Sequence, residues 1–330
     1  MKLLAIPNDP TSAYHRNSRK DFLSEFNPNG FFDGVAFLNW KDDSDTEYCG
    51  VDSFNILKDK RGARDLMDRL IRGDVAFDYP LFTDIFSKEK DRIIGLARDF
   101  NPDMVRAFNT HFAAELGIMV SQALDVPLLV SAHDIERLTS AVERADYLAC
   151  VSDVVRDRCV AGYGIDPENV GVIPDGIDMN WFYPRSETEI RGAFSGMSAR
   201  NKLFSVGRLV PGKNLEILLK SVQIVERELG GVMHFHVGKG TPESREEIEY
   251  LKQNLGLEGV SYFLGGMQKD QLPFYYSWAD VYALPTLHEG LGRASIEALA
   301  CGTPVVTTNY APMTEVVQDG YNGLTSDPRD

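Results

Sequence analysis

Two carboxylates, Glu289 and Glu297, bracket the stretch Gly290-Leu291-Gly292-Arg293-Ala294-Ser295-Ile296, and the chain runs on through Cys301-Gly302-Thr303-Pro304-Val305. An apolar run from Val281 to Leu284 stops at Pro285, and the two glycines make a loop. A helix is expected to open near Arg293 and to close at Gly302, which suits the left-handed residue after a helix end. In such a strand, loop and helix unit the loop lies at the carboxyl edge of a parallel sheet, where bare amides and the helix dipole favour an anion. Acids beside an anion repel it unless each has something else to bind. Sugar hydroxyls are suitable partners, since each charge-assisted hydrogen bond to a carboxylate contributes about 1.5 to 3 kcal/mol. Glu289, ahead of the glycines, would then face a sugar beyond the phosphates, and Glu297 a ribose.

A diphosphate beside two acids needs positive charge. Gly207-Arg208-Leu209-Val210-Pro211-Gly212-Lys213-Asn214 follows one predicted strand and precedes a helix. Arg208 offers a fork of N–H donors and Lys213 a point charge, so that together they flank a diphosphate. Elsewhere, Val130-Ser131-Ala132-His133-Asp134 ends a strand on a histidine, and Arg106 and Asn109 end another. In a doubly wound sheet these strand ends face the ligand cleft.

These motifs resemble those of the retaining glycosyltransferases of the GT-B fold, family 4 (glycosyl transferases group 1). The glutamate, seven residues, glutamate spacing carries the resemblance together with Gly-Arg-Leu then Lys at 207–213 and Ile-Pro-Asp-Gly-Ile-Asp at 173–178, where Asp175 replaces the usual asparagine. The resemblance implies two facing Rossmann-like doubly wound domains with an interdomain cleft. It also implies transfer of a sugar from a nucleoside diphosphate sugar to an acceptor hydroxyl with retention, and Arg208 and Lys213 stabilising the departing diphosphate where other enzymes use a metal. It places His133 near the transferred sugar, and Gly207, Gly290, Leu291, Gly292 and Glu297 on the donor. Gly266 and Met267, after the strand Val260 to Leu264, match the backbone that meets the base. Similarity is strong from about Ala145 to Gly323 and weak before Pro102. The glycine-rich loop usual after the first strand is missing, for Ile6 to Tyr14 contains no glycine.

The chain of 330 residues suits two domains, with 43% hydrophobic and 25% charged residues as in ordinary globular proteins. Its net charge of -15 argues against nucleic acid or anionic lipid as a partner. The basic cluster His15-Arg16-Asn17-Ser18-Arg19-Lys20 is the local exception, read first as a solvated helix start. No transmembrane run or signal peptide is expected, and the four cysteines, Cys49, Cys150, Cys159 and Cys301, show no metal spacing. A cytoplasmic protein with reduced thiols, no cofactor and no metal is therefore expected.

Alternating patterns place strands at Leu3 to Ile6, Val35 to Leu38, Met104 to Phe108, Pro127 to Ser131, Tyr147 to Val151 and Val170 to Ile173. Helices are expected near Arg61 to Ile71, Lys88 to Asp99, His111 to Ala123 and Ile135 to Arg144. A second series of strands runs through Leu203 to Val206, Val232 to Val237, Val260 to Leu264, Val281 to Leu284 and Val305 to Thr308. This predicts an acceptor-side domain over 1–178, a hinge over 179–199 and a donor domain over 200–330, the last lacking the family's usual terminal helices. Domain closure about that hinge would limit hydrolysis.

Three other patterns suggest chemistry less strongly. Asp43-Ser44-Asp45 has metal-motif spacing but lies in an acidic loop read as solvated. His234 and His236 share a strand face but lack a third ligand, so a packed strand is expected. Gly238-Lys239-Gly240 is too short for a dinucleotide fingerprint. Two other functions fit the same residues: nucleotide-sugar binding without turnover, and a GT-B nucleotide-sugar epimerase.

Overall fold

The computed structural model describes residues 1–7, 27, 30–39, 46–48, 51–55, 89–135, 138–197 and 199–329. Contacts divide the chain into two compact units, Met1–Val151 with Val155–Ile173, and Ser152–Val154 with Pro174–Asp330. The first unit carries β1 (Lys2–Ile6), β2 (Gly34–Asn39), β3 (Thr46–Tyr48), β4 (Val51–Asn55), α1 (Lys90–Phe100), β5 (Met104–Ala107), α2 (Phe112–Leu124), β6 (Leu128–Ala132), β7 (Tyr147–Cys150), α3 (Asp153–Tyr163) and β8 (Val170–Val172). Its sheet runs β3-β4-β2-β1-β5-β6-β7-β8, all parallel except the β3 and β4 pair. β1 and β2 read as apolar runs because both faces of a parallel sheet are covered. Leu3, Ala5, Val35 and Phe37 pack together there.

The second unit carries α4 (Glu187–Ala193), β9 (Asn201–Val206), α5 (Leu215–Leu229), β10 (Val232–Val237), α6 (Pro242–Asn254), β11 (Ser261–Phe263), α7 (Leu272–Trp278), β12 (Val281–Leu284), α8 (Arg293–Ala300), β13 (Val305–Thr308), α9 (Met313–Val316) and β14 (Gly323–Ser326). Its parallel sheet runs β11-β10-β9-β12-β13-β14. Counted from β9, the order is third, second, first, fourth, fifth, sixth, the doubly wound Rossmann arrangement, and direction of travel reverses between β9 and β12. The loops leaving those two strands hold Gly207 to Lys213 and Pro285 to Gly292. An aromatic core supports them, with Phe204, Tyr276 and Tyr282 fully buried.

Thr241 caps α6, accepting from Ser244 N at 3.2 Å with Pro242 in the first turn. The apolar spacing from Leu215 to Leu229 forms α5 over the same residues. Of the helix expected from Ile135 to Arg144, the described residues show a 3-10 helix over Ser140–Arg144, which Thr139 caps and which ends at Ala145 in extended backbone, while 136–137 lie outside the described residues. The strands β3, β4 and β14 have no counterpart in the sequence reading. The segment read as a hinge carries α4, begun by a capping box of Ser186 and Glu189. Its Phe182 and Phe194 lie in the second unit's core. The helix expected at Arg61 to Ile71, the basic cluster at His15 to Lys20, Cys49 and Asp43-Ser44-Asp45 lie outside the described residues. No helix among the described residues is long and apolar enough to cross a membrane.

Candidate functional site

At the end of β9 the backbone continues alongside β10, with Gly207 N donating to Val237 O at 3.0 Å and Leu209 N to Lys239 O at 2.9 Å. A short 3-10 turn over Pro211–Lys213 then leads into α5. The Lys213 side chain folds back over Gly207, so that a Cβ there would stand 3.3 Å from its methylenes. Its ammonium is ion-paired with Glu289, both side chains being only 16% exposed. The turn is tied to the second loop by backbone as well. Leu287 N donates to Gly212 O at 2.8 Å, and Thr286 Oγ1 donates to the same oxygen at 3.0 Å.

The second loop ends at α8, whose N-cap is Gly292 at φ 79° with no side-chain cap. Only glycine adopts that backbone freely, and a Cβ there would also strike Met313 Sδ at 2.6 Å. An uncapped first turn leaves amide donors for an anion. Ser152 Oγ, buried, donates to Gly290 O at 2.7 Å and so fixes the orientation of the peptide entering Leu291. One turn into α8, Glu297 is 8% exposed and accepts from Tyr276 Oη at 3.0 Å. Burial raises its carboxyl above the usual range, against the opposing pull of the Tyr276 hydrogen bond and the charges of Arg293 and Lys269. Tyr282 lies within the field of both glutamates. Its phenol is pushed well above its ordinary value, first by burial and then by Glu289 and Glu297. The two acids therefore belong to one electrostatic neighbourhood, the first held by a cation and the second by a phenol.

The structure thus brings Gly207, Lys213, Glu289, Gly290, Leu291 and Gly292 together, with Glu297 on the same helix. Arg208 is exposed and makes no ion pair among the described residues. Gly266 is exposed beneath the side chain of Lys239, whose Cε would meet a Cβ there at 2.5 Å, and Met267 packs on the aromatic core. In the first unit, Arg106 donates to Ser131 Oγ at 3.2 and 3.3 Å and lies over the Phe108 ring. Asn109 Oδ1 accepts from His111 N at 2.9 Å and Ala113 N at 3.2 Å, capping α2. His133 follows the end of β6, half-buried. His234 and His236 are fully packed, as the strand reading expects. Among the described residues no group of three or more His, Cys, Asp or Glu side chains is placed to hold a metal ion. Cys150, Cys159 and Cys301 are buried free thiols.

Sequence reasoning missed Tyr276, Thr286 and Ser152. Thr286 bonds to Gly212 over 74 positions of chain, Tyr276 to Glu297 over 21 and Ser152 to Gly290 over 138, and no spacing rule connects residues so far apart.

Two family models match the chain, Glycosyltransferase Family 4 over residues 63–181 and Glycosyl transferases group 1 over residues 187–330. A D-inositol 3-phosphate glycosyltransferase of Geodermatophilus obscurus is 27% identical over 246 residues, covering 66% of this chain and 54% of the relative. Mannosylfructose-phosphate synthase of Agrobacterium fabrum is 29% identical over 262 residues, 67% of this chain and 57% of the relative. The chain spans 54%, 66% and 59% of the length of three such inositol phosphate relatives. Among solved structures, Anabaena HepE in complex with UDP and glucose superposes with a TM-score of 0.75 at 20% identity, covering 99% of this chain and 86% of that one. Sucrose-phosphate synthase of Thermosynechococcus elongatus gives 0.76 at 18% identity, covering 100% and 86%. These likenesses show the GT-B fold.

Proposed function

This chain belongs to the GT-B glycosyltransferases of family 4, the glycosyl transferases of group 1, and we propose on that premise that it moves a sugar from a nucleoside diphosphate sugar to an acceptor hydroxyl, with retention and without a metal. The observation that carries the reading is the Lys213 and Glu289 pair at the sheet's switch point, beside the uncapped start of α8 and one turn from the buried Glu297. An ammonium has three donors, so Lys213 can hold Glu289 and a phosphate oxygen together. Arg208, being exposed, is free to swing a guanidinium onto the same diphosphate. Glu297 then takes the ribose hydroxyls and Glu289 those of the transferred sugar.

Departure of the diphosphate is the step these groups serve, because negative charge grows on the bridging oxygen as the sugar's anomeric bond breaks. A preset cation and open amides stabilise that charge without reorganising. Neither carboxylate is assigned as a nucleophile, each being given to a hydroxyl pair. Attack by the acceptor oxygen from the face the diphosphate leaves, its proton passing to the departing phosphate oxygen as the anomeric C–O bond breaks, accounts for retention. His133 is assigned to the transferred sugar, and Gly266 and Met267 to the base. We place the reaction in the cytoplasm, where buried thiols such as Cys150 and Cys159 stay reduced.

The test is product analysis with UDP, GDP and ADP sugars, beginning with UDP-glucose and with D-inositol 3-phosphate among the acceptors, after a thermal-shift screen. A ligand at 100 times its dissociation constant raises stability by about 2.7 kcal/mol, enough to identify the base. A new glycoside of unchanged anomeric configuration, formed equally in EDTA, is the expected result. Unchanged donor at full binding would make the chain a nucleotide-sugar binder, epimerised donor an isomerase, and loss of activity in EDTA would overturn metal independence.

A further inference from the structure

Beneath the Gly207 turn, on one face of β9, β10 and β11, lie four polar side chains that the transfer reaction does not use: Ser205, His234, His236 and Ser261, none more than 1% exposed. They form one unbroken chain. Ser261 Oγ is 3.1 Å from His234 Nδ1, and His234 Nε2 is 2.8 Å from Ser205 Oγ. Ser205 Oγ is 2.7 Å from His236 Nδ1, and His236 Nε2 is 2.9 Å from the carbonyl oxygen of Gly207. A parallel strand with both faces covered is ordinarily apolar, so these residues cost stability unless every group is satisfied.

The direction of every bond follows from the last one. A carbonyl only accepts, so His236 Nε2 carries a proton, and a neutral ring then has Nδ1 as acceptor. Ser205 must donate to that nitrogen, and its oxygen accepts from His234 Nε2–H. His234 Nδ1 accepts in turn from the Ser261 hydroxyl. Both rings are neutral, for burial lowers His234 to about 3 and His236 to about 4.

The chain has a single outlet. Gly207 O lies so close to Gly238 that a Cβ on Gly238 would stand 1.7 Å from it, and the methylenes of Lys213 rest on Gly207 itself. Moving that carbonyl moves the surface on which Lys213 lies, and with it the ammonium that meets Glu289. We propose that His236 is a positioning residue for the diphosphate turn, the hydrogen-bonded chain from Ser261 to Gly207 setting where Lys213 presents its charge. This rests on the reading of that turn as the diphosphate site.

Two substitutions separate the bond to Gly207 from the packing of the ring. Glutamine places an N–H donor where His236 has Nε2, while asparagine keeps a group near Nδ1 and removes the donor. Inorganic pyrophosphate, followed by titration calorimetry on the whole chain, probes the turn whatever the base. His236→Gln should bind it within about threefold of the unsubstituted chain, and His236→Asn about tenfold more weakly, the size expected when a buried carbonyl loses its donor. Equal losses in both variants, or none in His236→Asn, would overturn the proposal. If His236→Asn does not fold, Ser205→Ala interrupts the chain one step earlier and should weaken pyrophosphate by about threefold. Long-range nitrogen spectra of the unsubstituted chain should show both rings as the Nε2–H tautomer, and an Nδ1–H ring at His236 would refute the chain on its own. Failure of the unsubstituted chain to bind pyrophosphate, with the tautomers as expected, would overturn the diphosphate reading while leaving the hold on Gly207 intact.

Discussion

In the first unit Asn109 bonds to the amides at the start of its own helix, whereas in the second Lys213 meets Glu289 across 76 positions. The bond at Asn109 satisfies backbone donors that any helix start leaves over. A bond between charged side chains from different strand ends satisfies nothing that the fold itself requires. Bringing them together where both are only 16% exposed costs desolvation and side-chain entropy, which is offset when a ligand uses the charges. The Lys213 and Glu289 pair therefore fits the proposed site, and the bond at Asn109 fits scaffolding.

The strongest way to break that contrast is Lys213→Ala. It leaves Glu289 without its cation and removes the charge proposed for the departing diphosphate, so kcat should fall by about 10²–10³-fold, as when a preorganised donor is lost from a charge-stabilising site. Arg208→Ala should lower kcat in the same sense, and Glu297→Ala should instead weaken donor binding. Steady-state kinetics with the donor found by screening checks all three. Normal turnover in Lys213→Ala would reduce the Lys213 and Glu289 pair to scaffolding.

Acid should separate the units as well. The buried histidines among the described residues, His234 and His236, both lie in the second unit. Unfolded, each ring takes up a proton as pH falls through its ordinary 6.5, while in the fold burial delays this to about 3 and about 4. Between those values the unfolded chain binds more protons, so the contribution is full above the ordinary value and is lost as pH falls, by about 2 kcal/mol per ring from pH 7 to pH 5. Glu297 acts the other way, because its raised folded value makes the fold hold its proton longer. It is one group against two. Native-state hydrogen exchange, corrected for intrinsic rates, should show β9 and β10 losing protection at pH 5 relative to β5 and β6. Equal losses in both units would count against the neutral buried chain.

Much of the second unit was legible in the sequence because each of its signals is local. Pro285, Gly292 and Gly302 punctuate one strand and helix, and the apolar spacing from Leu215 is read within a single helix. The first unit was less legible. Ile135 to Arg144 has helical composition, yet Thr139 competes for the backbone and the described residues after it form a 3-10 helix over Ser140–Arg144. At the candidate site, residue types and spacing singled out Glu289, Glu297 and Lys213, but not that Lys213 is paired with Glu289 or that Tyr276 holds Glu297. Those bonds depend on which strands adjoin at the switch point, and adjacency belongs to the folded sheet. The same limit applies to Asn109, which is placed at a strand end like a ligand group but spends its oxygen on α2.

Asn109 gives the smallest effect and the sharpest test of the local side of the contrast. Its Oδ1 accepts from His111 N and Ala113 N at 2.9 and 3.2 Å, so Asn109→Ala uncovers amide donors at the start of α2 and should cost about 1 kcal/mol of the first unit's stability. Asn109→Asp keeps the acceptor, adds negative charge at the helix's positive end, and should restore that loss. Denaturant unfolding followed by exchange of the α2 amides measures both. If Asn109→Asp regains stability but turnover stays low, the side chain meets the reacting sugar as well as the helix, and a short-range bond no longer marks a residue as scaffolding alone.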